Sequence, residues 1–255
     1  MDYKKQARTF GNRKEIIMKD FTLNFLGSDS GFGEKNNSAY VELGNDLWLI
    51  DCGYTVFNEL RSTLNLEKYE SINVIITHLH NDHAGSLCQL ILYSFFVLKK
   101  KVNVYSKCER IKEYLDITGV VDEAYSLFRG SSNLKFIKTE HAKQLDAYGF
   151  LMNCNGKKIV YTSDTATLEP FVEYINSAEE LYVDMSIAGG VHLKIEDCME
   201  NLKVIKQNGV KVVLMHIDNR EKMKELVQDE FYFAWKYSSL LKVLKNTWFY
   251  GKKRI

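Results

Sequence analysis

The sequence predicts a mixed α/β (α+β) chain folded as a four-layer αββα sandwich, two sheets packed face to face between outer helices. Short β-rich runs alternate with amphipathic helical runs from end to end, and the second half repeats the pattern of the first. The 255 residues contain one proline, Pro170, and no Ser/Gly linker or low-complexity tract, so residues 21–255 read as one domain behind an N-terminal extension, residues 1–20. A chain of this length buries a sizeable core.

Residues 21–27, 39–43 and 47–52 are predicted strands, separated by Gly-, Asn- and Asp-rich turns. Residues 56–65 read as a short helix, and residues 72–77 as a β-branched strand that runs straight into a group of histidines. Residues 82–99 read as one helix with Asp82 and His83 in its first turn; its apolar stretch, residues 87–98, is shorter than the roughly 20 residues a membrane span needs. In the second half, residues 134–139, 148–153, 158–162, 181–185 and 211–216 are predicted strands, and residues 168–178 and 194–207 helices. Ile195, Cys198, Met199, Leu202 and Ile205 recur at helical spacing, which makes that stripe core.

Composition narrows the function classes. Hydrophobic residues make up 45% and charged residues 26%, as in a soluble globular protein. A net charge of +1 gives no global footprint of a nucleic-acid binder, though a local basic patch would serve RNA. The five cysteines lack CxxC spacing and read as reduced thiols of a cytoplasmic protein. Residues 1–20 are polar and basic around a short Ile16-Ile17-Met18 patch, unlike a signal peptide. Lys99-Lys100-Lys101 and Lys252-Lys253-Arg254 read as solvated charge runs. The aromatic stretch 231–250 reads as core, pocket wall or dimer surface.

The chemistry is concentrated in Thr77-His78-Leu79-His80-Asn81-Asp82-His83. Neutral imidazole is the commonest protein ligand for zinc-like ions, and carboxylate oxygens complete such sites. His78 and His80 are two apart, so on an extended segment both point to one side, while Asp82 and His83 start the helix that follows. His141 and His216 follow or end predicted strands, and Asp164 lies just past another, where sheets gather functional side chains.

His78-Leu79-His80-Asn81-Asp82-His83 resembles the HxHxDH signature of the metallo-β-lactamase superfamily, and Leu49-Ile50-Asp51-Cys52-Gly53 is similar to its first motif. The resemblance runs from about Phe21 to Asn219 and implies a four-layer αββα metallo-β-lactamase sandwich. It implies two divalent metal ions, Zn²⁺ or alternatively Mn²⁺: His78, His80 and His141 holding one, Asp82, His83 and His216 the other, and Asp164 shared. Asp51 would orient a ligand histidine.

Two features resemble the tRNase Z group of phosphodiesterases. Asp164 sits in Ser163-Asp164-Thr165, similar to a Gly-Asp-Thr motif, and Asp184 precedes His192 as a carboxylate–histidine pair does in that group, although the group carries Glu where Asp184 stands. The resemblance implies metal-assisted hydrolysis with Asp82 as a proton acceptor and His192, oriented by Asp184, protonating the leaving oxygen. The group's long Gly/Pro-rich RNA-gripping arm has no counterpart, and residues 27–33 form instead a glycine-rich loop that either borders the pocket or is a plain hairpin. A small phosphodiester, a cyclic nucleotide first, therefore suits the chain better than RNA. The pattern also resembles the compact anti-Pycsar phosphodiesterases that destroy cyclic-nucleotide signals, which implies a homodimer. RNA 3′ processing and lactone or thioester hydrolysis are the alternatives on the same fold.

Overall fold

Stretches such as Ser71–Ile75 and Lys211–Met215 carry buried side chains at consecutive positions, which a strand achieves only when both its faces are covered. In the computed structural model, which describes residues 22–154 and 156–236, these runs lie inside two six-stranded sheets. The first holds β1 (Asn24–Gly27), β2 (Ser38–Leu43), β3 (Asp46–Ile50), β4 (Ser71–Ile75), β5 (Val102–Tyr105) and β6 (Tyr125–Phe128), in that spatial order. The second holds β7 (Leu134–Lys138), β8 (Tyr148–Cys154), β9 (Lys157–Tyr161), β10 (Glu180–Asp184), β11 (Lys211–Met215) and β12 (Tyr232–Phe233), again in consecutive order. Each half opens with an antiparallel meander, β1 to β3 or β7 to β9, and continues in parallel strands. The repeat expected from the sequence is thus a repeat of topology.

The first half carries helices α1 (Val56–Thr63), α2 (Asn81–Ala84), α3 (Leu87–Phe96) and α4 (Ile111–Ile117); the second carries α5 (Val172–Ile175), α6 (Ile195–Gln207) and α7 (Arg220–Val227). Three buried clusters define the layers. Leu60, Val74, Leu87, Ile91 and Leu115 join α1, α3 and α4 to the first sheet, and Val183, Ile195, Leu202, Leu214 and Met223 join α6 and α7 to the second. Ile50, Ile75, Phe150, Tyr161, Tyr182 and Val213 fill the space between the sheets. Alternation along β11 shows the principle: Val212 and Leu214 face the helices while Val213 and Met215 face the other sheet. This is the expected four-layer αββα sandwich.

Three local departures have physical causes. The helix expected over residues 82–99 is broken into α2 and α3, because Ser86 donates its N–H to the Cys52 carbonyl (2.9 Å) and its hydroxyl to the Gly53 carbonyl (2.5 Å) instead of continuing the ladder. The helix expected over residues 168–178 shrinks to a 3₁₀ turn, Glu169–Phe171, and α5. Lys100 is no solvated charge: its ammonium donates to the carbonyls of Glu67 (2.7 Å) and Tyr69 (2.5 Å). All five cysteines are free, and among the described residues no helix is long and apolar enough to cross a membrane. Residues 1–20, Lys252-Lys253-Arg254 and all of the 231–250 stretch beyond residue 236 lie outside the described residues. The part described buries Phe231, Phe233 and Ala234 and exposes Tyr232.

Gly53 follows β3 at a place where a Cβ would collide with the Asp82 carbonyl and touch Asn36. Gly53→Ala is expected to destabilise the fold by about 1–3 kcal/mol, as overpacking does. At roughly 2–4 °C per kcal/mol for a domain of this size, calorimetry should show a clear fall in Tm.

Candidate metal centre

The site is built where strands end. Asp51 follows β3, Thr77 and His78 lie just past β4, Asp164 follows β9, Asp184 ends β10 and His216 follows β11. Ligand sites gather at the carboxyl ends of parallel strands because the chain must turn there and its side chains are released from the sheet. Asp51 (φ 57°), Ser163 (φ 55°) and His216 (φ 55°) all adopt the left-handed backbone conformation at these exits. For residues with a Cβ this costs of order 1–3 kcal/mol each and persists only when the surroundings enforce it.

Every predicted site residue is brought to this seam. His78 Nε2 and His141 Nε2 stand 2.9 and 3.2 Å from His80 Nδ1, and each lies 3.7 Å from Asp164 Oδ2. On the other side, Asp82 Oδ2 lies 3.2 Å from both His83 Nε2 and His216 Nε2. Asp164 Oδ1 is 3.3 Å from His83 Nε2, and its Oδ2 is 3.5 Å from His216 Nε2. Three overlapping groups could hold a metal ion: His78, His80, His141 with Asp164; Asp82, His83, His216 with Asp164; and Asp164, Asp184, His192 with His216. The first two are the sets expected from the sequence. Beside them His192 Nδ1 donates to Asp184 Oδ2 (2.8 Å), and the His192 ring stacks on His216 with centroids 5.0 Å apart.

The outer hydrogen bonds fix which nitrogen faces inward. Buried Asp51 accepts from Thr77 N (2.9 Å), from the Thr77 hydroxyl (2.9 Å) and from His83 Nδ1 (2.8 Å), which turns His83 Nε2 into the centre. His141 Nδ1 donates to the Val191 carbonyl (3.0 Å), turning its Nε2 inward likewise. His83 Nε2 and Asp164 Oδ1 are buried without a hydrogen-bond partner. Inward-facing imidazole nitrogens crowded around buried carboxylate oxygens, with atoms on both left unpartnered, form a donor set that a divalent cation fits.

Charge follows the same layout. Burial and the neighbouring His83 hold His78 well below the ordinary imidazole pKa, and burial lowers His80, so both stay neutral. Burial pushes Asp164 up, yet His216 and His83 outweigh it and hold the carboxylate ionised well below its ordinary range. Burial likewise opposes ionisation of Asp82, and the bond from His216 with the nearby His83 ring reverses it, leaving the group strongly acidic. His192 is lowered by burial but raised more by its bond to Asp184, a net shift upward.

A cleft of about 630 Å³ opens onto the centre, lined by His80, Asp82, His141, His192 and His216. The glycine-rich loop does border it. Gly31 packs so close to Asp82 that a Cβ would lie 3.2 Å from Oδ2, and Phe32 and Tyr54 form the rim. The Tyr54 hydroxyl donates to the Gly31 and Gly33 carbonyls (3.3 and 3.4 Å), while the Asp29–Arg220 pair (2.6 Å) anchors the loop's base. Two participants were not visible in the sequence. Phe32 had no signal beyond its loop, and Asp218, which lines the cleft, had none beyond lying two residues past His216.

The fold and this set of imidazoles and carboxylates define a metal-dependent hydrolase of the metallo-β-lactamase superfamily. The chain belongs to the Anti-Pycsar protein Apyc1 family, whose sequence model matches residues 21–113 and 106–238. The Anti-Pycsar protein Apyc1 of Bacillus phage 010DV004 is 26% identical over 234 residues, covering 78% of this chain and 90% of the relative. A Ribonuclease Z of Methanococcus maripaludis is 29% identical over 102 residues, 38% of this chain and 33% of that protein. Among solved structures, the metallo-β-lactamase fold protein YhfI of Bacillus subtilis superposes with a TM-score of 0.66 at 18% identity, over 83% of this chain and 93% of its own.

Adding Zn²⁺ or Mn²⁺ to chelator-treated protein should raise its Tm, because ions that bind only the folded centre stabilise it by mass action. Asp51→Ala should weaken that binding roughly 10–100-fold in a chelator competition, since it frees the His83 ring. An affinity unchanged by the substitution would remove Asp51 from the centre.

Proposed function

We propose that the protein is a dinuclear-metal-dependent phosphodiesterase that opens small cyclic nucleotides to linear monophosphates. The observation that carries this reading is the Asp184–His192 pair (2.8 Å), set beside the first two metal-binding groups, with His192 lining the same cleft. An ester or thioester hydrolase has less need of such a pair. The relatives' name, Anti-Pycsar, supports a nucleotide signal as substrate.

His78, His80 and His141 would hold one ion, Asp82, His83 and His216 the other, with Asp164 between them. Two ions, Zn²⁺ or Mn²⁺, supply positive charge for the phosphate oxygens and lower the pKa of water when bound. The protein's own groups do the rest. Water attacks phosphorus and the bond from phosphorus to the ring-closing sugar oxygen breaks. His192, its Nδ1 committed to Asp184, delivers the proton from Nε2 to that departing oxygen. Its bond to Asp184 shifts its pKa upward, in the direction that favours the protonated ring. Asp82, which lines the cleft, takes the water's proton and passes it to solvent. Phe32, fully exposed at the rim, and Tyr54 offer aromatic faces to a base. The reading carries with it a cytoplasmic homodimer, which light scattering on the purified protein tests.

An RNA substrate is the second reading, favoured by the partial match to Ribonuclease Z. A panel of cyclic AMP, GMP, CMP and UMP, a tRNA precursor with a 3′ trailer and a thioester, each with Mn²⁺ or Zn²⁺, separates the possibilities. Cyclic nucleotides should become linear monophosphates; cleavage of the precursor alone would transfer the protein to RNA processing. His192→Ala should lower kcat roughly 10²–10⁴-fold, and Asp164→Ala or His83→Ala should abolish metal-dependent turnover. Phe32→Ala should raise KM roughly tenfold with little change in kcat, the size of one lost base-stacking contact.

A further inference from the structure

The segment from Ser186 to Leu193 carries His192 but is almost devoid of side chains that could hold it. It contains Gly189 and Gly190, both left-handed (φ 76° and 82°), and an exposed Val191. Its two ends are tied together, Ser186 N donating to the Leu193 carbonyl (2.8 Å) and Ile195 N to the Ser186 carbonyl (3.0 Å). Consecutive glycines leave the span between those ties wide conformational freedom. The span nonetheless has to place two groups: His192, and the Val191 carbonyl that receives the His141 Nδ1 proton.

We infer that Asp218 is the positioning residue that fixes this loop, and through it sets the proton-donating geometry of His192 and the orientation of His141. The inference rests on the phosphodiesterase reading above. The Asp218 carboxylate accepts from the Ser186 hydroxyl (2.6 Å), from Ile187 N (3.0 Å) and from Ala188 N (3.1 Å). The Ser186 hydroxyl oxygen in turn accepts from Ala188 N (3.0 Å) and Gly189 N (2.9 Å), so the first half of the loop is folded around this pair. Asp218 lies two residues past His216, on which the His192 ring stacks. One exit from β11 therefore supplies both the imidazole under His192 and the anion that holds the loop carrying it.

Every partner of the carboxylate is a donor, two of them backbone N–H groups that cannot be turned around. An asparagine with its oxygen in the place of Oδ2 would still accept from Ser186, Ile187 and Ala188, but it loses the charge that strengthens these bonds and sets its NH₂ against Ile187 N, which lies 3.0 Å from Oδ1. Asp218→Asn is thus almost isosteric yet weakens the anchor, which separates positioning from packing.

The test is Asp218→Asn in the metal-saturated enzyme, assayed on a cyclic nucleotide, whose sugar oxygen leaves poorly without a proton, and on bis-p-nitrophenyl phosphate, whose phenolate leaves without one. The ratio of kcat on the first to kcat on the second should fall roughly tenfold or more, in the same direction as for His192→Ala. Adding Asp218→Asn to His192→Ala should change that ratio within about twofold, as for two residues acting through one step. In the Zn²⁺-loaded protein, the His192 imidazole nitrogen resonances should shift or broaden in Asp218→Asn. Equal losses on both substrates, losses that multiply in the double variant, or unmoved His192 resonances would overturn the assignment. A wild-type protein inert to both phosphodiesters would instead refute the phosphodiesterase reading, and the His192 resonances would still decide whether Asp218 positions that ring.

Discussion

Asp164 is an ionised carboxylate held where almost no water reaches it, and the rest of the centre is arranged around that charge. Its oxygens lie 3.3–3.9 Å from ring nitrogens of His78, His83, His141, His192 and His216. Burying such an anion costs several kcal/mol even after the protein relaxes, unless positive charge accompanies it. The imidazoles respond unequally: His83 and His216 are raised by the carboxylates against the effect of burial, while His78 and His80 remain neutral. A group of histidines divided in this way provides bare nitrogens on one side of the carboxylate and partial compensation on the other. Cations seated in the two groups expected from the sequence would complete the balance.

The sheets make this crowding possible. Parallel strands all end at the same edge, so β3, β4, β9, β10 and β11 deliver their following residues to one seam from both layers. The left-handed residues Asp51, Ser163 and His216 turn the chain immediately at those ends. Tyr161 and Tyr182, buried between the sheets, brace the floor, and Tyr161 receives the Asn37 side-chain amide at 2.8 Å. Strain at the exits is held in place by a packed interior on one side and by hydrogen bonds such as those of Asp51 on the other.

Much of this was legible in the sequence, for reasons that differ from residue to residue. His78, His80, Asp82 and His83 announce themselves because their neighbours in space are also neighbours in the chain. His141, Asp164 and His216 could be placed because a strand end is readable from its apolar run. The loop anchor Asp218 could not, because its partners are backbone N–H groups that leave no trace in residue identity. The break between α2 and α3 was hidden for a related reason: Ser86 bonds to carbonyls 33 and 34 positions away. β5 and β6 are four residues each, too short for their alternation to rise above the surrounding loops. The small α5 shows the converse, an apolar pattern that predicts more helix than the turn at Pro170 permits.

The distance along the chain between the two sides of the centre also orders events during synthesis. Asp82 and His216 meet across 134 positions, and each sheet contributes its own part of the cradle. At about 5–20 residues per second, a ribosome exposes the clustered histidines of the first half on the order of ten seconds before His216 emerges. In that interval the nascent first half offers a chelating tip without its counterpart. Only docking of the second sheet closes the cradle, so an ion trapped there would act as a late clasp between two topologically similar halves.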